Sequence, residues 1–255
     1  MDNGQAEAYV SALKKGNQMK SGKKFLVTGP TGATGSETVE QLLEKGHSVR
    51  ALAHREDERS ERLSKLGAEV VFGDLLDMES VRSALRGIYG VYFVYPIRPG
   101  IVDASVRLAQ AAKEAGVEII VNMSQKSARG DSKSHAALAH WLSERVFDWS
   151  GVSVSHIRPT LFSEWMLYGA AMIRQGTRLV PFGTGRHAPI AAEDQARVIV
   201  GILENPKAHA GKTYPLVGPV ECNHKEISQI IGRVLGKEIY FKLAALSKNS
   251  LLYAR

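Results

Sequence analysis

The chain has 255 residues, 44% of them hydrophobic and 23% charged, a balance that excludes a disordered, collagen-like or disulfide-stapled protein. Its one cysteine, Cys222, excludes an intramolecular disulfide and a thiolate metal site within one chain, so no metal is expected. The formal net charge of +7 suits a polyphosphate ligand, an acidic partner or nucleic acid. The basic residues are scattered, however, and no zinc-finger spacing or helix-turn-helix is visible, so direct nucleic-acid binding is not expected.

Residues 2–22 are polar, with Tyr9, Val10 and Leu13 at helical spacing, and read as an N-terminal arm. They lack the apolar stretch of a secretory signal, and no later run approaches the roughly 18–20 apolar residues of a bilayer span. A cytoplasmic protein without a membrane partner is expected. From residue 23 the pattern changes. Short apolar runs at 25–28, 48–53, 69–73, 90–94, 118–122 and 152–158 read as strands. Segments apolar at i, i+3, i+4 lie between them, at 36–45, 58–66, 78–85, 102–115 and 134–148, and read as helices. Short strands alternating with helices predict βαβ units, a parallel sheet buried on both faces and an α/β, doubly wound (Rossmann-type) fold over 23–160. Residues 161–255 read as a small substrate-side lobe on the same domain. Its pieces are a helix at 162–174 ended by Gly176, a turn-rich stretch at 180–189, and a helix at 193–203. A strand at 213–217, a helix at 225–235 and a strand at 239–242 follow. Together they are expected to cap the carboxyl ends of the sheet.

The first strand runs directly into Gly29-Pro30-Thr31-Gly32-Ala33-Thr34-Gly35 and then a helix. A strand, a glycine turn and a helix N-terminus make an anion site, because amide N–H groups and the helix dipole point outward. Gly29 permits the turn, Gly32 lets the backbone approach phosphates, and Gly35 allows close helix–strand packing. Glycines also serve ordinary turns; the position between the first strand and first helix of a βαβ series is what points to a dinucleotide. The second strand ends Ala51-Leu52-Ala53-His54-Arg55, with no carboxylate to meet a free ribose 2′-hydroxyl. Arg55 could grip a 2′-phosphate and His54 add a donor, so NADP(H) is favoured and NAD(H) is the alternative. Arg55 could equally face solvent beside Glu56 and Asp57. Asp74 and Leu75 follow the third strand, where Asp74 could accept from the adenine amino group, and Asp77 reads as a helix cap. Val94, Tyr95 and Pro96 end the fourth strand on the nicotinamide side of the cleft.

The sequence resembles the NmrA-like family of atypical short-chain dehydrogenases. The resemblance rests on VTGPTGATG at 27–35, VRALAHR at 49–55, GDLLD at 73–77 and VNMSQ at 121–125. It continues in HxxxxHWLSE at 135–144, SGVSVSHIRPTLFSEW at 150–165 and APIAAEDQA at 188–196. It implies an NADP-binding domain and an NAD(P)H-dependent reductase of quinones, azo compounds or dyes. Some members instead bind the dinucleotide without turning it over and act as redox-sensing regulators with a protein partner. A redox-neutral isomerase or dehydratase on the same fold is the third reading. The Tyr-x-x-x-Lys pair of ordinary short-chain dehydrogenases is missing from 134–144, and His140 stands where many members keep a lysine. Relatives usually continue beyond Arg255, so the lobe is expected to be short or completed by another copy in a homo-oligomer.

Candidate proton donors are Ser124 after the fifth strand and His135 or His140 on the next helix, where an imidazole near its usual pKa would suit the task. Ser124, His140, Leu161 and Phe162 are also expected to contact the cofactor. Tyr95, Phe162, Trp165 and Tyr168 are expected to wall an aromatic, conjugated acceptor, although the same aromatics at helical spacing also suit a core. Arg186 could reach a substrate anion or lie in a surface turn.

Overall fold

The computed structural model describes residues 22–180 and 185–244. In chain order, β1 (Lys24–Thr28), α1 (Ala33–Glu44), β2 (Ser48–Ala53), α2 (Glu58–Lys65), β3 (Glu69–Phe72), α3 (Met78–Leu85) and β4 (Gly90–Phe93) come first. Then follow α4 (Ile101–Glu114), β5 (Ile119–Met123), α5 (His135–Trp149) and β6 (Val154–Pro159). The remainder is α6 (Trp165–Tyr168), α7 (Ala170–Arg174), β7 (Thr177–Val180), β8 (Arg186–His187), α8 (Ala192–Glu204), α9 (Pro206–His209), β9 (Thr213–Leu216), β10 (Cys222–Asn223), α10 (His224–Leu235) and β11 (Tyr240–Leu243). The main sheet is parallel, in the order β3-β2-β1-β4-β5-β6-β9. The winding reverses between β1 and β4, which is the doubly wound arrangement.

Alternation along each strand sends its side chains into two separate cores. Phe25 and Val27, Tyr92, and Ile119 and Val121 face one side, where Val39 and Leu42 of α1 and Ile199 and Leu203 of α8 cover them. Leu26, Val91 and Phe93, and Ile120 face the other, under Leu85 of α3, Leu108 of α4 and Phe147 of α5. Burial on both faces explains why the central strands β1, β4 and β5 read as continuous apolar runs, whereas the edge strand β3 is half exposed.

The structure departs from expectation mainly after residue 160. The strand expected in the cap at 213–217 is β9, the seventh strand of the main sheet, paired with β6 through His156↔Thr213 to Pro159↔Leu216. The helix expected there at 193–203 is α8, which packs along α1 beneath the sheet. Its periodicity was legible, but the partner for its apolar face was not. The single helix expected at 162–174 breaks at Gly169 into α6 and α7. The pairs β7–β11 and β8–β10 form two small sheets, of which only β11 was anticipated. This lobe is tethered at the carboxyl ends of β6 and β9. Phe162 bridges Ile190, the Ile190 amide donates to the Leu161 oxygen at 3.0 Å, and the Gly218 amide donates to the Ala188 oxygen at 3.0 Å. The expected arm lies, apart from Gly22, outside the described residues, as do 181–184 of the turn-rich stretch. Among the described residues no helix is long and apolar enough to cross a membrane.

Candidate functional site

A cleft opens at the carboxyl ends of the strands, where the order reverses. Its walls are Gly29, Pro30 and Thr31 after β1, Leu52, Ala53 and His54 at the end of β2, Gly73, Asp74 and Leu75 after β3, and Val94, Tyr95, Pro96 and Arg98 after β4. Open α/β sheets bind ligands at this place. Thr28 holds the two central strands together there, its Oγ1 donating to the Val94 oxygen and accepting from the Val94 amide, both at 2.9 Å.

Gly29 has φ +54°, a left-handed conformation that favours glycine, and a Cβ on it would press on Val94 at 2.9 Å. A Cβ on Gly35 would overlap the Gly29 carbonyl, so α1 can approach the loop only with glycine there. Gly32 is different. Its backbone is extended, with φ −86° and ψ 170°, and a Cβ would meet nothing but the Gly29 oxygen at 3.3 Å. The space beside it is open, as a ligand-facing position requires. The amides of Ala33, Thr34 and Gly35 donate to nothing among the described residues, and the first turn of α1 carries no acid. Unused amides at an uncompensated helix N-terminus fit a pyrophosphate. Thr34 offers only its amide, because its buried hydroxyl bonds the Tyr92 hydroxyl at 2.7 Å. That contact, which the sequence did not reveal, pins the loop to β4; burial pushes the Tyr92 phenol up.

At the end of β2, His54 lines the cleft, whereas Arg55 is not in its wall. The Arg55 side chain is 74% exposed and sits 3.8 Å from Asp57, loosely enough to turn towards a ligand. Asp57 caps α2, and the Arg59 side chain beside it holds its carboxyl below the usual range. Asp74 Oδ1 accepts the Leu76 amide at 2.9 Å, which leaves Oδ2 without a partner among the described residues. Asp77 caps α3, as expected. Arg98, absent from the sequence reading, lies over the Tyr95 ring with 5.4 Å to its centroid. Tyr95 itself is buried, and its hydroxyl points to the Pro99 oxygen at 3.4 Å.

Ser124, His135 and His140 are not in this wall; Ser124 follows β5, and both histidines lie on α5. Ser124 and His140 are buried; the Ser124 hydroxyl lies close enough to Glu144 to help lower its carboxyl, and His140 Nδ1 has no hydrogen-bond partner among the described residues. Burial pushes the His140 imidazole down to about 4, against the pull of Glu144. An ordinary imidazole pKa is the expectation at that position; burial of this face of α5 lowers it, and His140 is neutral at physiological pH. His135 opens α5 at the surface. Beneath them lies a network that no spacing rule signalled. Glu144, with its side chain wholly buried, accepts from Arg158 Nε at 2.8 Å and Nη2 at 2.5 Å. Burial raises its carboxyl, but the Arg158 fork prevails and holds it below the usual range. Alongside, His156 Nδ1 accepts from Asn122 at 3.0 Å and Nε2 faces Asp148 at 3.0 Å, a pattern that puts the proton on Nε2.

On the lobe side, the half-buried rings of Phe162 and Trp165 lie 5.8 Å apart at 32°. The side chain of Tyr168 lies outside the described residues. Arg186 is engaged within the lobe: Nη2 donates to the Glu221 oxygen at 2.8 Å and Nη1 pairs with Glu226 at 3.3 Å. Cys222 is buried in β10 as a free thiol.

An NAD(P)H azoreductase from Xenophilus azovorans is 30% identical over 227 residues, 88% of this chain and 78% of that protein. A (4-alkanoyl-5-oxo-2,5-dihydrofuran-3-yl)methyl phosphate reductase from Streptomyces griseus is 32% identical over 222 residues, covering 86% and 76%. Among solved structures, an NADPH-dependent quinone oxidoreductase from Escherichia coli complexed with NADPH has the same fold. It superposes with a TM-score of 0.76 at 24% identity, over 87% of this chain and 78% of that one. Residues 21–249 match the NmrA-like family as a whole, glycine loop and lobe together. The chain belongs to the NmrA-like family.

Proposed function

We propose that this protein is an NADP(H)-dependent reductase that delivers hydride to a small conjugated acceptor such as a quinone, azo compound or dye. The observation that carries the reading is the cleft at the strand-order reversal, with three unused amides at the helix N-terminus that follows its Gly29–Thr31 wall and no carboxylate ending β2 on the other side. Two similar proteins are named as reductases, one of them of azo compounds, and the net charge of +7 suits a ligand with several phosphates.

In this reading the amides of Ala33, Thr34 and Gly35 hold the pyrophosphate. His54 and Arg55 reach the 2′-phosphate, and Asp74 Oδ2 accepts from the adenine amino group. Val94, Tyr95, Pro96, Ser124, His140, Leu161 and Phe162 border the nicotinamide half. Bound nicotinamide supplies the hydride. A quinone or azo acceptor takes its proton from water, so the absence of the Tyr-x-x-x-Lys pair does not stop the reaction. His140, neutral and enclosed, serves as a hydrogen-bonding neighbour of the cofactor and not as an acid. Phe162 and Trp165 wall the acceptor, and positioning against the nicotinamide supplies much of the rate.

The test is to mix the full chain with NADPH or NADH and a panel of quinones and azo dyes, and to follow the nicotinamide absorbance. Consumption of NADPH dependent on acceptor supports the reading. Tight NADPH binding with no turnover on any acceptor replaces it with a dinucleotide sensor.

A further inference from the structure

The C-terminal lobe encloses a positive charge that has no carboxylate partner among the described residues. Arg178, in β7, is 6% exposed. Its Nη1 donates to Nδ1 and the main-chain oxygen of His224, at 3.4 and 3.3 Å, and its Nη2 contacts the Met166 sulfur at 3.0 Å. Among the described residues it has no carboxylate partner. The nearby Glu226 is already committed, accepting the Asn223 amide at 2.9 Å and pairing with Arg186. A buried guanidinium without an anion carries a large desolvation cost.

Two imidazoles close to it have unused ring nitrogens. His224 opens α10 and is 1% exposed. A guanidinium only donates, so Nδ1 of His224 is the acceptor and Nε2 carries the proton. That Nε2 is buried and unpartnered, as is Nε2 of His187, whose ring lies 4.7 Å from the His224 ring. Burial, with the Arg178 and His187 charges, brings the His224 imidazole down to about 4. It therefore stands neutral, with an N–H to give.

We propose that Arg178, His187 and His224 form an oxyanion site, which takes a carboxylate, sulfonate or phosphate group. The site is attached to the substrate-side wall. Met166 follows Trp165 directly, and His187 leads through Pro189 to Ile190, which bridges Phe162. The group held there is an anionic substituent of the acceptor; this assignment rests on the reductase reading, whereas the site itself does not.

Two measurements separate these claims. First, the full chain saturated with NADPH, so that the glycine loop is filled, is titrated with inorganic phosphate while the imidazole signals of His187 and His224 are followed by NMR. Saturable shifts of both are expected, weakened at least tenfold in Arg178→Gln. Should that variant not fold, His187→Ala, at a half-buried member of the cluster, gives the same loss. Unmoved imidazoles at tens of millimolar phosphate overturn the site. Second, reduction of a sulfonated naphthoquinone is compared with that of its uncharged parent. Arg178→Gln is expected to raise KM for the sulfonate at least tenfold more than for the neutral quinone. Equal effects overturn the assignment to the acceptor. No turnover by the unmutated chain defeats the reductase reading, and the phosphate titration then decides the site alone.

Discussion

Replacing Arg158 by methionine strips the partner from a carboxylate that cannot reach water. The Glu144 side chain is 0% exposed and that of Arg158 27%, and the two share bonds of 2.8 and 2.5 Å. Arg145 Nη2, 3.5 Å from the same carboxylate, is too distant to replace them. Breaking a buried pair on one side costs about 3–5 kcal/mol. At about 2–4 °C per kcal/mol for a chain of this size, the melting point should fall by roughly 6–20 °C. The pH dependence has a definite sign. In the parent, the lowered carboxyl of Glu144 contributes stability above the unfolded value of about 4.3, and loses it as pH falls through the folded value. In Arg158→Met the strongest influence that lowers the carboxyl is gone, and burial outweighs what Ser124 and His156 still contribute, so the folded pKa rises and the carboxylate must be carried without its fork or take up a proton. The penalty should therefore be largest near pH 8 and shrink as the pH falls through that raised value. Glu144→Gln should cost less, because the guanidinium it leaves behind is partly exposed and can be hydrated. Urea unfolding of the three proteins between pH 5 and 8 measures all of this. An Arg158→Met penalty below about 1 kcal/mol at pH 8, or one unchanged down to pH 5, would refute the reasoning.

Gly32→Val should leave the melting point within a few degrees, because the backbone there is extended and the space open, yet abolish NADPH binding by filling the phosphate approach; unchanged affinity in a fluorescence titration removes the loop from the site. NADPH should bind at least tenfold more tightly than NADH, about 1.4 kcal/mol, and Arg55→Asp should erase the difference; calorimetry giving equal affinities in the parent contradicts the reading of the β2 end. The imidazole of His140 should stay neutral down to about pH 4. Its NMR signal should be flat from pH 8 to 6, and the folded chain should lose about 1.4 kcal/mol of stability per pH unit between 6.5 and that value. A titration midpoint near 6.5 shows the ring to be hydrated. His140→Ala should weaken cofactor affinity while single-turnover hydride transfer at saturating NADPH changes little; a large fall in that rate with affinity intact makes His140 the proton donor.

The sequence by itself determined what depends on neighbours along the chain. Apolar runs of four to seven residues between helical periods read as strands, and β1 to β6 follow them within a residue or two. The glycine loop was legible because turn, amide exposure and helix start all lie within Gly29–Gly35. The caps Asp57 and Asp77 act over three residues; the sequence signal at Asp77 was a carboxylate just before an apolar helical period.

Tertiary structure alone decided what depends on distant partners. Strand β9 carries a period that fits any sheet, and only pairing with β6 places it in the main one. Helix α8 declares an apolar face without saying that α1 will cover it. The same limit governs the chemistry. His140 and His135 were both candidate proton donors in the sequence, but packing buries the face of α5 that carries His140, lowering its imidazole, and leaves His135 at the surface. Glu144 and Arg158 are fourteen positions apart, and Arg178 and His224 forty-six. Solvation and charge are set by what surrounds a group in space, and the chain order does not contain that information until the sheet has closed it.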